Sequence, residues 1–365
     1  MRGITGRRGA GTSGRGRALR AAAVALATAG ALLVGGATAS ASVPAWGDGS
    51  GGSDGPAFDV PQSSLDAALT CSAGTTDSSR PVALFIPGTT LTPQENLSWN
   101  YFRAFAAAGR PYCSVELPNH AMSDIQVSAE YVVNAIRKVE ARSGQKVSIV
   151  GFSQGGMIGR WAMKYWPDTR ADVGKLVGID PSNHGTLDSY PVCAAAGCAP
   201  AFAQQQTYSH FTTALNSGPE TFAGIDYTTM FTPTDEVVVP NLGPAPSSAL
   251  TTGAGRRANI STFDVCPGHL ADHLSMGSFD ALAYALVIDA LDHDGPGSAT
   301  RIDRSVCVQP MQPGVDPVTF PARLAAYTAG VGFQVATYPH VLAEPPLKPY
   351  ARGDDHVSAV RGARR

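Results

Sequence analysis

The 365-residue chain predicts an α/β fold, a mostly parallel central sheet with helices on both faces. Two observations predict it. Short, continuously apolar runs alternate along the chain with segments of helical period, the pattern of parallel strands covered on both sides. One such run, Val147-Ser148-Ile149-Val150, passes through Gly151-Phe152-Ser153-Gln154-Gly155-Gly156 directly into a helix-like segment at 157–166. Strand, G-x-S-x-G, helix is the order of a tight turn that presents its serine at the end of a sheet.

Taken in order, the elements begin after two segments set aside. Residues 1–41 carry Arg2, Arg7, Arg8, Arg15, Arg17 and Arg20 with no acidic residue, then an Ala/Val/Leu run from 21 to 34, then Ala39-Ser40-Ala41. That is the layout of a secretory signal peptide, its apolar run too short to span a bilayer. Arg7-Arg8 also permits a twin-arginine export reading, although glycine and alanine follow it. The Gly/Ser-rich residues 42–56 read as a flexible entry segment. Val82-Ala83-Leu84-Phe85-Ile86, closed by Pro87-Gly88, reads as a buried strand with a turn behind it. Residues 112–117 make a second strand, and residues 123–140 have the apolar spacing of a helix. Past the 151–156 turn, strands are expected at 175–179, 227–231 and 259–265, and a helix at 279–291. No internal repeat is visible. Residues 57–352 form one α/β domain on this reading, and 353–365 a basic, solvated tail.

Composition narrows the setting. Hydrophobic residues make up 44% of the chain, enough for a sizeable core. Six of the 27 basic residues and none of the 29 acidic ones lie in the leader, so the remainder carries 21 against 29, a formal net of −8. A secreted acidic chain of this kind is poorly suited to nucleic acid, and no later apolar run reaches membrane-spanning length. Six cysteines, Cys71, Cys113, Cys193, Cys198, Cys266 and Cys307, follow the leader. In an oxidising compartment they imply three disulfides, with fifteen possible pairings. Asn96-Leu97-Ser98 and Asn259-Ile260-Ser261 match the glycosylation sequon.

A serine hydroxyl attacks only when a base takes its proton and an acid orients that base. On folds with this elbow, the chain order is serine, acid, histidine, each on a loop after a strand. Two acids qualify. Asp180 directly follows the 175–179 strand, and Asp235 sits in the polar loop Thr232-Pro233-Thr234-Asp235-Glu236 after a later one. Asp235 is preferred, Asp180 otherwise being a turn or cap residue. Of eight histidines, His269 and His273 lie in the expected place for the base, and spacing alone leaves both open. His269, Asp272 and His273 could suggest a metal site, but Pro267-Gly268 breaks the regular helix such spacing needs. For the oxyanion hole, one N–H should come from Gln154 and another from the Pro87-Gly88-Thr89-Thr90 turn, with the Thr89 hydroxyl as a further donor.

These blocks together resemble the secreted lipases of the Candida antarctica lipase B type. The likeness runs from about residue 57 to 352. It is carried by Pro61-Gln62-Ser63-Ser64-Leu65-Asp66-Ala67-Ala68-Leu69-Thr70-Cys71, Pro87-Gly88-Thr89, Tyr131-Val132-Val133-Asn134-Ala135-Ile136 and Ser153-Gln154-Gly155-Gly156. Thr234-Asp235-Glu236-Val237-Val238, Asp272-His273 and Pro349-Tyr350-Ala351-Arg352 continue it. The resemblance implies an α/β-hydrolase with Ser153, Asp235 and His273 as triad, Thr89 and Gln154 in the oxyanion hole, and Gln205 as a polar pocket residue. It implies ester or lipid substrates, transient contact with a lipid interface, a monomer, and no metal or organic cofactor. A short-chain esterase or a polyester hydrolase would use the same residues, and a non-catalytic binding protein of this fold would be expected to lack one of them. It also pairs Cys71 with Cys113 and Cys266 with Cys307, leaving Cys193 with Cys198. That last bridge departs from the family's pattern and should stiffen the segment 190–204, where the family has a mobile helix over the pocket mouth. Phe152 also departs: the family's best-known member has a tryptophan there, shaping the alcohol side of its pocket.

Overall fold

The computed structural model describes residues 54–194 and 196–352; the leader, most of the entry segment and the 353–365 tail lie outside them. Seven strands form one sheet: β1 (Leu69–Cys71), β2 (Ala83–Ile86), β3 (Tyr112–Val115), β4 (Val147–Phe152), β5 (Val173–Ile179), β6 (Asp226–Phe231) and β7 (Arg256–Ser261). Their order is β1-β3-β2-β4-β5-β6-β7, with only β1 antiparallel to its neighbour.

The continuous apolar runs are strands buried on both faces, because alternate side chains enter two different cores. Leu84, Ile86, Val147 and Ile149 pack with Val132, Ile136, Met157 and Trp161 from the helices Ile125–Ser143 and Gln154–Tyr165. Ala83, Phe85, Val150 and Phe152 face the opposite way, onto Leu282, Leu286 and Val287 of the helix Ala281–Asp292. Period two on the strand and period 3.6 on the helix thus serve the same two interfaces. Asp124 caps the first of these helices by accepting from the Gln126 N–H, and Gly144 ends it in the left-handed region, where its missing Cβ removes the steric cost.

Several elements differ from the sequence reading. The strand expected at 259–265 starts at Arg256 and stops at Ser261, where Ser261 and Asp264 form a capping box that opens a short helix, Thr262–Val265. The short β1 is locked to β3 by Cys71–Cys113, which face each other in register. The helix Phe320–Thr337 was not expected; it buries Tyr327 and lays the partly buried Phe320, Leu324 and Val331 against the same core. Cys193–Cys198 and Cys266–Cys307 are the other two disulfides. Among the described residues no helix is long and apolar enough to cross a membrane.

Behind the Gln154–Tyr165 helix lies a buried polar network. Arg160 donates to the carbonyls of Asn183 and Glu220 and to Asn216 Oδ1. Burial opposes charge on Glu220, but the hydrogen bond from His184, the Thr251 and Thr252 amides and the nearby Arg160 outweigh it and hold the carboxyl well below its usual range. A depressed carboxyl stabilises the fold above its unfolded value near 4.5 and loses that stabilisation as pH falls. Glu220→Gln should therefore cost about 2 kcal/mol at pH 7, with the gap to wild type narrowing on acidification below pH 4.5. Thermal unfolding of both proteins at pH 7 and in acid checks this; a gap independent of pH refutes it.

Candidate active site

Ser153 caps the start of the Gln154–Tyr165 helix with φ 55° and ψ −122°, a conformation that is costly for a residue with a Cβ. The strain is held from both sides: the Ser153 N–H bonds to the Ile179 carbonyl at 2.9 Å, and Ser153 O accepts from the Gly156 N–H at 3.0 Å. The flanking glycines make the turn possible. A Cβ on Gly151 would collide with the Gly155 carbonyl, and one on Gly155 with that of Ile86.

His273 is the first residue of the short helix His273–Met276, after the Asp272 cap. Its backbone N–H donates to Glu236 at 3.0 Å, and its Nδ1 meets Asp235 Oδ2 at 2.9 Å. With Nδ1–H donating to Asp235, Nε2 is left with the free lone pair a base requires. Asp235 also accepts from the Val237 and Val238 amides and from Asn241 Nδ2, the acceptor load of a carboxylate. The His273 ring packs 4.7 Å from that of Phe152, which immediately precedes Ser153. Phe152 itself is buried, held where Gly88 and Gly277 leave room: a Cβ on Gly277 would lie 2.5 Å from its ring. His269 instead bonds Asp280 at 2.7 Å, the residue that caps the Ala281–Asp292 helix.

Thr89 lies opposite. Its Oγ1 accepts from Gln154 Nε2 and from Gln205 Nε2, both at 3.0 Å. The second hydrogen of each amide goes to a backbone carbonyl, Ala121 and Ala201 respectively. Both hydroxyl lone pairs are occupied, so the one O–H must donate elsewhere. Gln154 also opens its helix, where first-turn N–H groups have no intrahelical acceptor and the dipole favours an anion.

Three roles here escaped the sequence reading. Ser182 donates to Gln205 Oε1 at 2.8 Å and so orients that amide. Asn96 is fully buried, accepting from the Gly88 N–H and donating to the Gly277 carbonyl, which ties the Thr89 turn to the loop after His273. Burial closes the Asn96 sequon to glycosylation in the folded chain. Asn259 is exposed on β7, but its amide bonds both backbone groups of Leu250. The third is Asp180 as a buried neighbour of the acid: one ligand-type atom each of Asp180, Asp235 and His273 lie within 4.8 Å of one another. Such a set could hold a cation, but the 2.9 Å His273–Asp235 contact is a hydrogen bond, the geometry that orients an imidazole.

Leading up to Gln205 are the helices Ser189–Ala194 and Pro200–Gln204. Cys193–Cys198 ties the end of the first helix to the stretch between them, and Cys198 pairs antiparallel with Val341, so the bridge also anchors the C-terminal segment. Leu187, Tyr190, Val192 and Tyr208 are exposed there, and the Tyr208 N–H donates to the Tyr190 hydroxyl.

The chain is similar to known proteins over most of its length. Residues 119–196 match the family described as "Putative serine esterase (DUF676)". The chain is 33% identical to Lipase B of Pseudozyma antarctica over 308 residues, covering 82% of this chain and 87% of the relative. The solved structure of Aspergillus fumigatus lipase B superposes with a TM-score of 0.75 at 29% identity, covering 82% of this chain and 73% of that one.

Proposed function

The chain belongs to the lipase B family and is a carboxylic ester hydrolase of α/β-hydrolase fold, and on that premise we propose that it is a secreted lipase cleaving acylglycerols through a Ser153–His273–Asp235 triad. The observation that carries the reading is the His273–Asp235 hydrogen bond, formed beside the strained Ser153 elbow. His273 Nε2 takes the Ser153 proton as Oγ attacks the ester carbonyl. The resulting oxyanion is held by the Thr89 hydroxyl and the Gln154 N–H. Collapse expels the alcohol, which takes the proton from His273 and leaves Ser153 acylated. Water, or a second alcohol, attacks in the same way and frees the acid. Asp235 holds the imidazole in one tautomer and balances its charge when protonated.

Gln205, oriented by Ser182, and Phe152 are assigned to the substrate pocket. The exposed Leu187, Tyr190 and Val192 suit transient contact with a lipid surface. The leader read as a signal peptide at 1–41 and three disulfides support secretion.

Labelling with a fluorophosphonate, followed by mapping of the adduct, tests the triad: the adduct is expected on Ser153, and an adduct elsewhere overturns the reading. Rates on p-nitrophenyl esters of increasing chain length, with and without an emulsion interface, test the substrate class. Preference for long chains at the interface supports a lipase. Preference for soluble short chains makes this a short-chain esterase, and turnover of polyester film with poor acylglycerol hydrolysis makes it a polyester hydrolase.

A further inference from the structure

Asp180 is the first residue after β5 and takes a left-handed backbone with φ 41°, its N–H bonded to the Met230 carbonyl at 2.8 Å. Its carboxyl is completely buried. Oδ1 accepts one hydrogen bond, from the Thr232 N–H at 2.8 Å, while Oδ2 is a buried oxygen with no hydrogen-bond partner. Oxygens of Asp180 and Asp235 and a ring nitrogen of His273 lie within 4.8 Å of one another. The groups that face it are Asp235 and Glu236 from the loop after β6, His273 from its short helix, and Asp280 from the cap of the Ala281–Asp292 helix.

Two carboxyls so close in a dry site do not both ionise readily, and the proton goes to the one with fewer donors. Asp235 has four and Asp180 one. Burial first, and the charge of Asp235 second, push the Asp180 carboxyl well above its ordinary range, with the Thr232 N–H opposing.

We propose that Asp180 is a reserve acid for His273, a positioning residue that takes over the orientation and charge balance of the imidazole when Asp235 cannot carry them. The inference rests on the triad reading above. While Asp235 is charged, the Asp180 proton stays in place. Removing that charge lifts the second of the two causes that hold it, so that as pH rises the proton leaves to solvent, and the Asp180 carboxylate then faces the ring that must become imidazolium.

The test compares Asp235→Asn with Asp235→Asn/Asp180→Asn, reading kcat/KM on p-nitrophenyl butyrate across pH. The single variant is expected to stay at least about ten-fold above the double, with residual activity rising through an ionisation that the double lacks. Equal rates at every pH overturn the proposal. Asparagine is close in shape to the neutral acid. Should the double variant not fold, the pH profile of Asp235→Asn alone decides: a rise through two ionisations, that of the His273 base and one more, supports Asp180, and a rise through a single ionisation or no activity at any pH refutes it. Ser153→Ala in the same assay separates the two readings, since activity retained there sinks the triad and not Asp180 alone.

Discussion

Ser153→Ala and His273→Ala should each lower kcat by about 10⁶-fold, and the double variant should lose no more than either alone. The non-additivity is the informative part. Serine and histidine act as a unit: without the base the hydroxyl keeps its proton, and without the hydroxyl the base has nothing to activate. Once one is gone, the contact of the other with its partner contributes nothing further. The His273 ring is packed against Phe152 and bonded to Asp235, so alanine there removes the base while the Ser153 turn, held by Gly151, Gly155 and the Ile179 carbonyl, remains. Substrate affinity should change little. Steady-state rates on p-nitrophenyl butyrate with purified, folded variants check the expectation; losses that add across the two sites would show that they act separately.

What was legible in the sequence is what local chemistry alone dictates. Gly151 and Gly155 could be read because no other residue allows the backbone approaches the turn makes. The same holds for β2 and β4, whose largely apolar runs have no other use than burial on both faces. Asp235 could be placed after a late strand, but the choice against Asp180 needed the family blocks, because both follow strands whose ends lie side by side in the sheet. His269 and His273 were equally ambiguous, and their roles diverge only because the chain returns Asp280 to one and Asp235 to the other. Asn96, Ser182 and the buried state of Asp180 carried no local signal at all. Each depends on partners far along the chain, Gly277 for Asn96 and Thr232 for Asp180. The end of β7 was misplaced because Thr262 to Val265 have strand-like composition, and a capping box outweighs propensity over one turn.

Thr89→Val should lower kcat by about 10²- to 10³-fold with KM nearly unchanged, the loss expected when one oxyanion donor is removed. Valine matches threonine in shape but has no O–H. The native hydroxyl is pre-aimed in a specific way: Gln154 and Gln205 fill both of its lone pairs, each amide being pinned by a backbone carbonyl, and Ser182 fixes the orientation of Gln205. The proton therefore points away from both donating amides and is available for the negative charge that develops only in the transition state. Valine also strands two amide hydrogens, at a cost of about 1–3 kcal/mol for each group left unsatisfied, so thermal unfolding must accompany the kinetics. Thr89→Ser keeps the hydroxyl and should stay within about ten-fold of wild type. If Thr89→Val retains kcat, or if serine fares no better than valine in folded protein, the hydroxyl is a structural acceptor for the two glutamines, and the oxyanion is held by backbone N–H groups alone.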